Sequence, residues 1–96
     1  MIELGGNIKL VGFKELEPGM LVVVKKLVGS YARKISDSNV NIKELSLNIV
    51  SKDLNNIALE GKLITDLSEF TSEATEPNLF FAIDKALGSL VLKMQK

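Results

Sequence analysis

The chain has 96 residues, 46% of them hydrophobic and 25% charged, and its 12 basic and 12 acidic side chains leave no formal net charge. This length and composition are typical of one small folded domain, residues 1–96. The absence of cysteine and histidine excludes disulfide bonds, thiolate metal sites and a histidine base. No apolar run approaches the ~20 residues of a membrane-spanning helix, and the N-terminus lacks a signal-peptide pattern, so we expect a cytoplasmic protein without membrane contact.

The first predicted elements are a strand and a helix, separated by a break at Pro18 and Gly19. The segment Asn7–Phe13 is short and rich in branched aliphatic residues, which predicts a strand. Val22–Val24 favours a strand when taken alone. The apolar residues of Met20–Ser36 nevertheless recur at helical spacing, so we predict a helix over this range. Its apolar face is formed by Met20, Val24, Leu27, Val28, Tyr31 and Ile35.

Three further strands are predicted in the middle of the chain. Apolar and polar residues alternate along Ile42–Ile49, Ile57–Leu63 and Glu69–Ala74, as expected for strands with one buried face. The connections Lys52–Asn56 and Thr65–Ser68 are short and rich in turn-forming residues. The three strands therefore form an antiparallel meander with one face exposed to water.

The last predicted element is the helix Asn78–Lys96, whose entry is marked by Pro77, since proline is tolerated at the start of a helix. Its apolar stripe is formed by Phe80, Ile83, Leu87, Leu90, Val91 and Met94. The element order is then β-α-β-β-β-α. We predict an α+β two-layer sandwich, with a four-stranded sheet and both helices on one of its faces. The position of the first strand in the sheet stays open.

The charges separate along the chain although they cancel overall. The first helix has four basic residues and no acidic ones, residues 42–76 have a balance of −4, and residues 77–96 have a balance of +2. On the outer faces of the two helices, Lys26 lies in line with Arg33, and Lys85 with Lys96. These stripes predict a basic helical layer that would attract phosphate backbones, although ordinary solvated faces give the same pattern.

Two large apolar residues of the last helix, Phe81 and Leu92, lie near Lys85 and away from the main stripe. Together they indicate a contact surface for a partner or a second copy of the chain, such as a homodimer. The other interpretation is that the neighbouring helix or the N-terminal segment covers one of them.

Nothing in the sequence predicts catalysis. The glycines form no phosphate-binding loop, and no residues have the spacing of a metal site. Glu69 and Glu73 share one face of a predicted strand, which is typical of a solvated surface rather than of an acid–base pair. We expect a protein that is not an enzyme and has no cofactor, metal or small-molecule substrate.

The element order and the segment Leu79–Leu87 resemble those of the ribosome hibernation-promoting factors, also called ribosome-associated inhibitors. The resemblance is most specific at Ala82–Lys85, which follows the strand Phe70–Thr75. It implies a fold like that of a double-stranded-RNA-binding domain. It also implies the family's function, which is to bind the small ribosomal subunit at the messenger and transfer RNA channel and to inhibit translation under stress. It also implies contacts with ribosomal RNA from Lys25, Lys26, Arg33, Lys34, Lys85 and Lys93.

The chain departs from that family at Ser89 and Leu92, where lysine or arginine is usual. The sequence therefore leaves two functions open. One is a ribosome- or RNA-binding protein that acts by occupying a site. The other is a protein-interaction or homo-oligomerisation domain that has the same fold and does not bind RNA.

Overall fold

The residues that the structure describes form one five-stranded sheet and two helices. The computed structural model describes residues 2–4, 7–14, 16–38, 40–53 and 55–94. In chain order, the elements are β1 (Ile2–Leu4), β2 (Ile8–Val11), α1 (Pro18–Ser36), β3 (Ile42–Lys52), β4 (Ile57–Thr65), β5 (Glu69–Glu76) and α2 (Leu79–Met94). The predicted order β-α-β-β-β-α and the α+β class are confirmed, and β1 is an additional short strand at the edge of the sheet.

The strands lie side by side in the order β1-β2-β3-β4-β5. β2 pairs with β3 in parallel, and the other described pairs are antiparallel. A parallel pair needs a long crossover connection, which α1 supplies. The turn between β3 and β4 is built on Asp53, whose Oδ1 accepts hydrogen bonds from the N–H groups of Asn55 and Asn56 at 2.9 and 2.8 Å. These bonds lower the pKa of Asp53, and they confirm the predicted turn at this position.

Both helices pack on the same face of the sheet, as predicted. The apolar side chains that alternate along the strands lie on the face of the sheet that the helices cover. Together with the buried side chains of the two helices, they form a single cluster. The large side chains that are fully buried in β2, β3 and β4 are Leu10, Leu45, Leu47, Leu59 and Leu63, and those in the helices are Val24, Val28, Ile35, Ile83, Leu87 and Leu90. Since the helices also contact each other, this cluster forms one core between a helical layer and a sheet layer.

The N-terminus of α2 differs from the prediction. The helix begins at Leu79, and the Oδ1 atom of Asn78 accepts hydrogen bonds from the N–H groups of Phe80 and Phe81 at 2.8 and 3.2 Å. Asn78 is therefore the capping residue instead of the first helical residue, and Pro77 precedes the helix. The predicted extension to Lys96 lies partly outside the described residues.

Two glycines are required by the local geometry. Gly12 ends β2 with a φ of 85°, and a Cβ there would lie 3.3 Å from the Cβ of Ile49. This turn brings the following residue, Phe13, fully into the core. Gly61 lies in β4 under α2, where a Cβ would approach Ser72 Oγ to 2.6 Å and Leu90 Cδ1 to 3.1 Å. Its missing side chain lets α2 pack closely on the sheet.

Candidate nucleic-acid interface

The outer surface of α1 is basic from Lys25 to Lys34. Lys25, Lys26, Arg33 and Lys34 are all exposed, and α1 contains no acidic residue. Within the described ranges, none of these four side chains forms an ion pair. They span ~14 Å along the helix axis. The four positive charges are therefore uncompensated on α1 and accessible to an anionic partner.

Lys26 and Arg33 lie on one stripe of α1, as the helical spacing predicts. Together with Gly29 and Ser30 they line a shallow depression of about 370 Å³. Lys34 is placed differently, because its Nζ atom lies 5.3 Å from the centre of the Tyr31 ring in a cation–π contact. Arg33 and Lys34 also occupy the last turn, where positive charge offsets the negative end of the helix dipole. These two residues thus have a structural role as well.

Lys85 and Lys93 lie on the flank of α2 that faces β5. The Lys85 Nζ atom is 2.8 Å from Glu76 Oε1, and this hydrogen bond raises the pKa of Lys85. The Lys93 Nζ atom donates a hydrogen bond to the backbone carbonyl of Thr71 in β5. The structure therefore divides the six predicted RNA-binding residues into four on α1 that form no ion pair among the described residues and a pair directed toward the sheet edge. Lys96, which the sequence placed in line with Lys85, lies outside the described residues.

A hydrogen bond joins the two helices. The Tyr31 hydroxyl donates to Asp84 Oδ1 at 2.5 Å. Burial of the Tyr31 hydroxyl, followed by its hydrogen bond with the Asp84 carboxylate, raises the pKa of Tyr31 to about 12. This bond links α1 to α2 directly through their side chains.

An apolar groove of about 380 Å³ lies between the helices on their outer side. It is lined by Val23, Leu27, Asn78, Phe80, Phe81 and Asp84. Phe81 is 67% exposed and Val23 is 46% exposed. Leu92 is 65% exposed and lies about 16 Å farther along α2, outside the groove. Both apolar residues singled out on α2 are thus open to solvent, and the interpretation that a neighbour covers one of them is wrong.

The open face of the sheet is polar and partly neutralised by ion pairs. Lys9 Nζ lies 2.9 Å from Glu44 Oε1, and its hydrogen bond lowers the pKa of Glu44. Lys62 lies 3.3 Å from Glu69. Glu69 is therefore engaged in an ion pair, as expected of a solvated surface.

The described part of the chain contains no group of three or more histidine, cysteine, aspartate or glutamate residues that could hold a metal ion. Within the same residues, no helix combines the length and apolarity that a membrane span requires.

No protein-family model matches the chain, and no curated protein matches its sequence significantly. Fold and surface therefore define the class: a small α+β sandwich with one basic helix face and an adjoining apolar groove.

Proposed function

We propose that this protein binds structured RNA, namely ribosomal RNA of the small subunit, and acts by occupying a site there. The observation that carries the proposal is the outer face of α1, where four exposed basic side chains stand without an acidic residue. Such a face gains affinity for a phosphate backbone by releasing the condensed counterions of the nucleic acid.

The resemblance to the ribosome hibernation-promoting factors supports the same proposal. The resemblance rests on the element order and on the segment Ala82–Lys85. With it we also propose that the fold is of the double-stranded-RNA-binding-domain type. The function would then be inhibition of translation under stress, in the cytoplasm. We assign the main contribution to α1, because Lys85 and Lys93 are already engaged by β5.

The test is a charge reversal on α1 with a matched reversal on the sheet. Lys26→Glu combined with Arg33→Glu changes the net charge by the same amount as Lys43→Glu combined with Lys52→Glu, two exposed positions of β3. Binding to purified small ribosomal subunits and to their isolated RNA is measured by fluorescence anisotropy over a range of salt concentrations. We expect the α1 variant to lose at least about tenfold in affinity and about 2 units of salt slope.

The β3 variant serves as the control and should bind nearly as well as the original protein. Equal losses in both variants would show a response to net charge rather than a site on α1. No binding at low salt by the unmodified protein would refute the proposed function.

A second candidate function is favoured by the exposure of Phe81 and Leu92, which suits a protein-interaction or homo-oligomerisation domain. Association through these side chains would be insensitive to salt. Sedimentation equilibrium of the original protein and a Leu92→Lys variant tests the homodimer. A dimer that Leu92→Lys dissociates would support it, and a monomer at high concentration in both cases would exclude it.

A further inference from the structure

We propose that the groove between α1 and α2 takes an unpaired base of a single-stranded RNA segment, stacked on Phe81. This inference rests on the proposed function and specifies its ligand, because it requires RNA with accessible bases rather than a continuous duplex. In a duplex the bases are paired and stacked on one another, so that they do not reach a side-chain groove.

The shape of the groove fits a flat, mostly apolar ligand. Its walls are Val23 and Leu27 on α1 and Phe80 and Phe81 on α2, and its volume is about 380 Å³. Phe81 is held at the first turn of α2, where its N–H bonds to Asn78. Exposed aromatic side chains are the groups on which proteins stack unpaired bases, and Phe81 is such a side chain.

Polar groups at the rim can hydrogen-bond the edge of a base. Asn78 uses its Oδ1 atom to cap α2, which leaves its amide N–H groups without a partner among the described residues. Asp84 uses Oδ1 to accept the Tyr31 hydroxyl, and no described residue bonds to its Oδ2 atom. The groove thus offers both a donor and an acceptor beside its apolar floor.

The charges around the groove favour RNA over a second copy of the protein. Lys26 lies one helical turn beyond Val23 and forms no ion pair among the described residues, so it can meet a phosphate next to the stacked base. The Asp84 carboxylate repels a phosphate from the groove itself. Two copies that joined groove to groove would bring their Lys26 side chains into one interface, which costs binding energy through like-charge repulsion.

The test uses a single tryptophan, because the chain contains none of its own. Phe81→Trp places the fluorophore in the groove, and Leu92→Trp places it at a similarly exposed position on the same helix. Both are titrated at low salt with a single-stranded RNA of about a dozen nucleotides and with a duplex of the same sequence. We expect saturable quenching by the single strand in Phe81→Trp alone.

Affinities of two further variants separate stacking from simple apolar contact. Phe81→Leu keeps an apolar side chain but removes the aromatic face, and should weaken single-strand binding about tenfold. Leu92→Ala should bind as the original protein does. If RNA binds with the expected salt dependence but Phe81→Leu has no effect, or if the duplex binds equally well, the base site is refuted and the proposed function stands. If no RNA binds at low salt, both are refuted.

Discussion

Gly12 shows how a single backbone angle supports the core. Its φ of 85° is strained for any residue with a Cβ, and the space beside it is taken by Ile49. We expect Gly12→Ala to lower the free energy of unfolding by about 1–2 kcal/mol, because both the backbone strain and the contact oppose it. Urea unfolding followed by circular dichroism gives the value.

Gly29, which lies inside α1, provides the matched control for the Gly12→Ala substitution. A Cβ at Gly29 would meet nothing within 4 Å, so Gly29→Ala should raise the free energy of unfolding by up to about 1 kcal/mol. Destabilisation by Gly29→Ala would contradict the open space beside this position and would show that the glycine is needed for packing.

The helical spacing of apolar residues predicted the buried side chains well, because it identifies the face of each helix that packs against the sheet. Val24, Val28 and Ile35 are fully buried, as their helical spacing requires. The start of α2 was placed wrongly because Pro77 and Asn78 are both favoured at helix N-termini. The side chain of Asn78 satisfies two free N–H groups, and this determines which residue caps the helix.

At the scale of elements, Tyr31 couples α1 to α2 in a pH-dependent way. Its pKa is raised from 10.0 to about 12 in the folded protein, so folding favours the protonated hydroxyl. The stabilisation is fully present below pH 10.0 and is lost as the pH rises toward about 12. Unfolding experiments across this range should show a falling stability.

Tyr31→Phe isolates this contribution. It should cost about 1 kcal/mol at neutral pH, since the hydrogen bond to Asp84 is lost. It should also flatten the decline between pH 10.0 and about 12, whereas lysine titration affects both proteins alike. A decline of the same size in the variant would show that Tyr31 is not its source.

The surface features that the sequence did not predict all involve two elements. A helical wheel places Lys85 and Lys93 on α2, but the approach of β5 decides what they contact. The groove beside Phe81 has one wall on α1, and nothing in either helix alone indicates it.

β1 was missed for a different reason, because three residues are too short for an alternating pattern.

At the scale of the whole molecule, stability should be uneven across the sheet. β4 lies inside the sheet with long ladders to β3 and β5, whereas β1 has three residues and one neighbour. We expect amide hydrogens of residues 2–4 to exchange much faster than those of Leu59–Leu63, because short edge ladders open at low free energy. Native-state exchange measured by NMR tests this order, and equal protection of both strands would contradict it.

The sequence predicted which segments carry net positive or negative charge, but it did not predict which charged side chains form ion pairs. Composition by segment indicated a basic first helix and an acidic group of strands, and α1 indeed carries four exposed cations. The ion pair between Lys9 and Glu44 joins residues far apart in the chain. Such pairs depend on strand register, which the parallel placement of β2 beside β3 determines.

Lys93 also influences how copies of the protein meet at high concentration. β5 is the outermost strand on its side of the sheet, and exposed carbonyl groups at such an edge can template a strand from another chain. The Lys93 ammonium group occupies the carbonyl of Thr71, and Glu73 adds an exposed negative charge to the same strand. Copies that approach edge to edge through β5 therefore meet an acceptor that is already occupied and a negative side chain from each copy, and both disfavour pairing of the two strands.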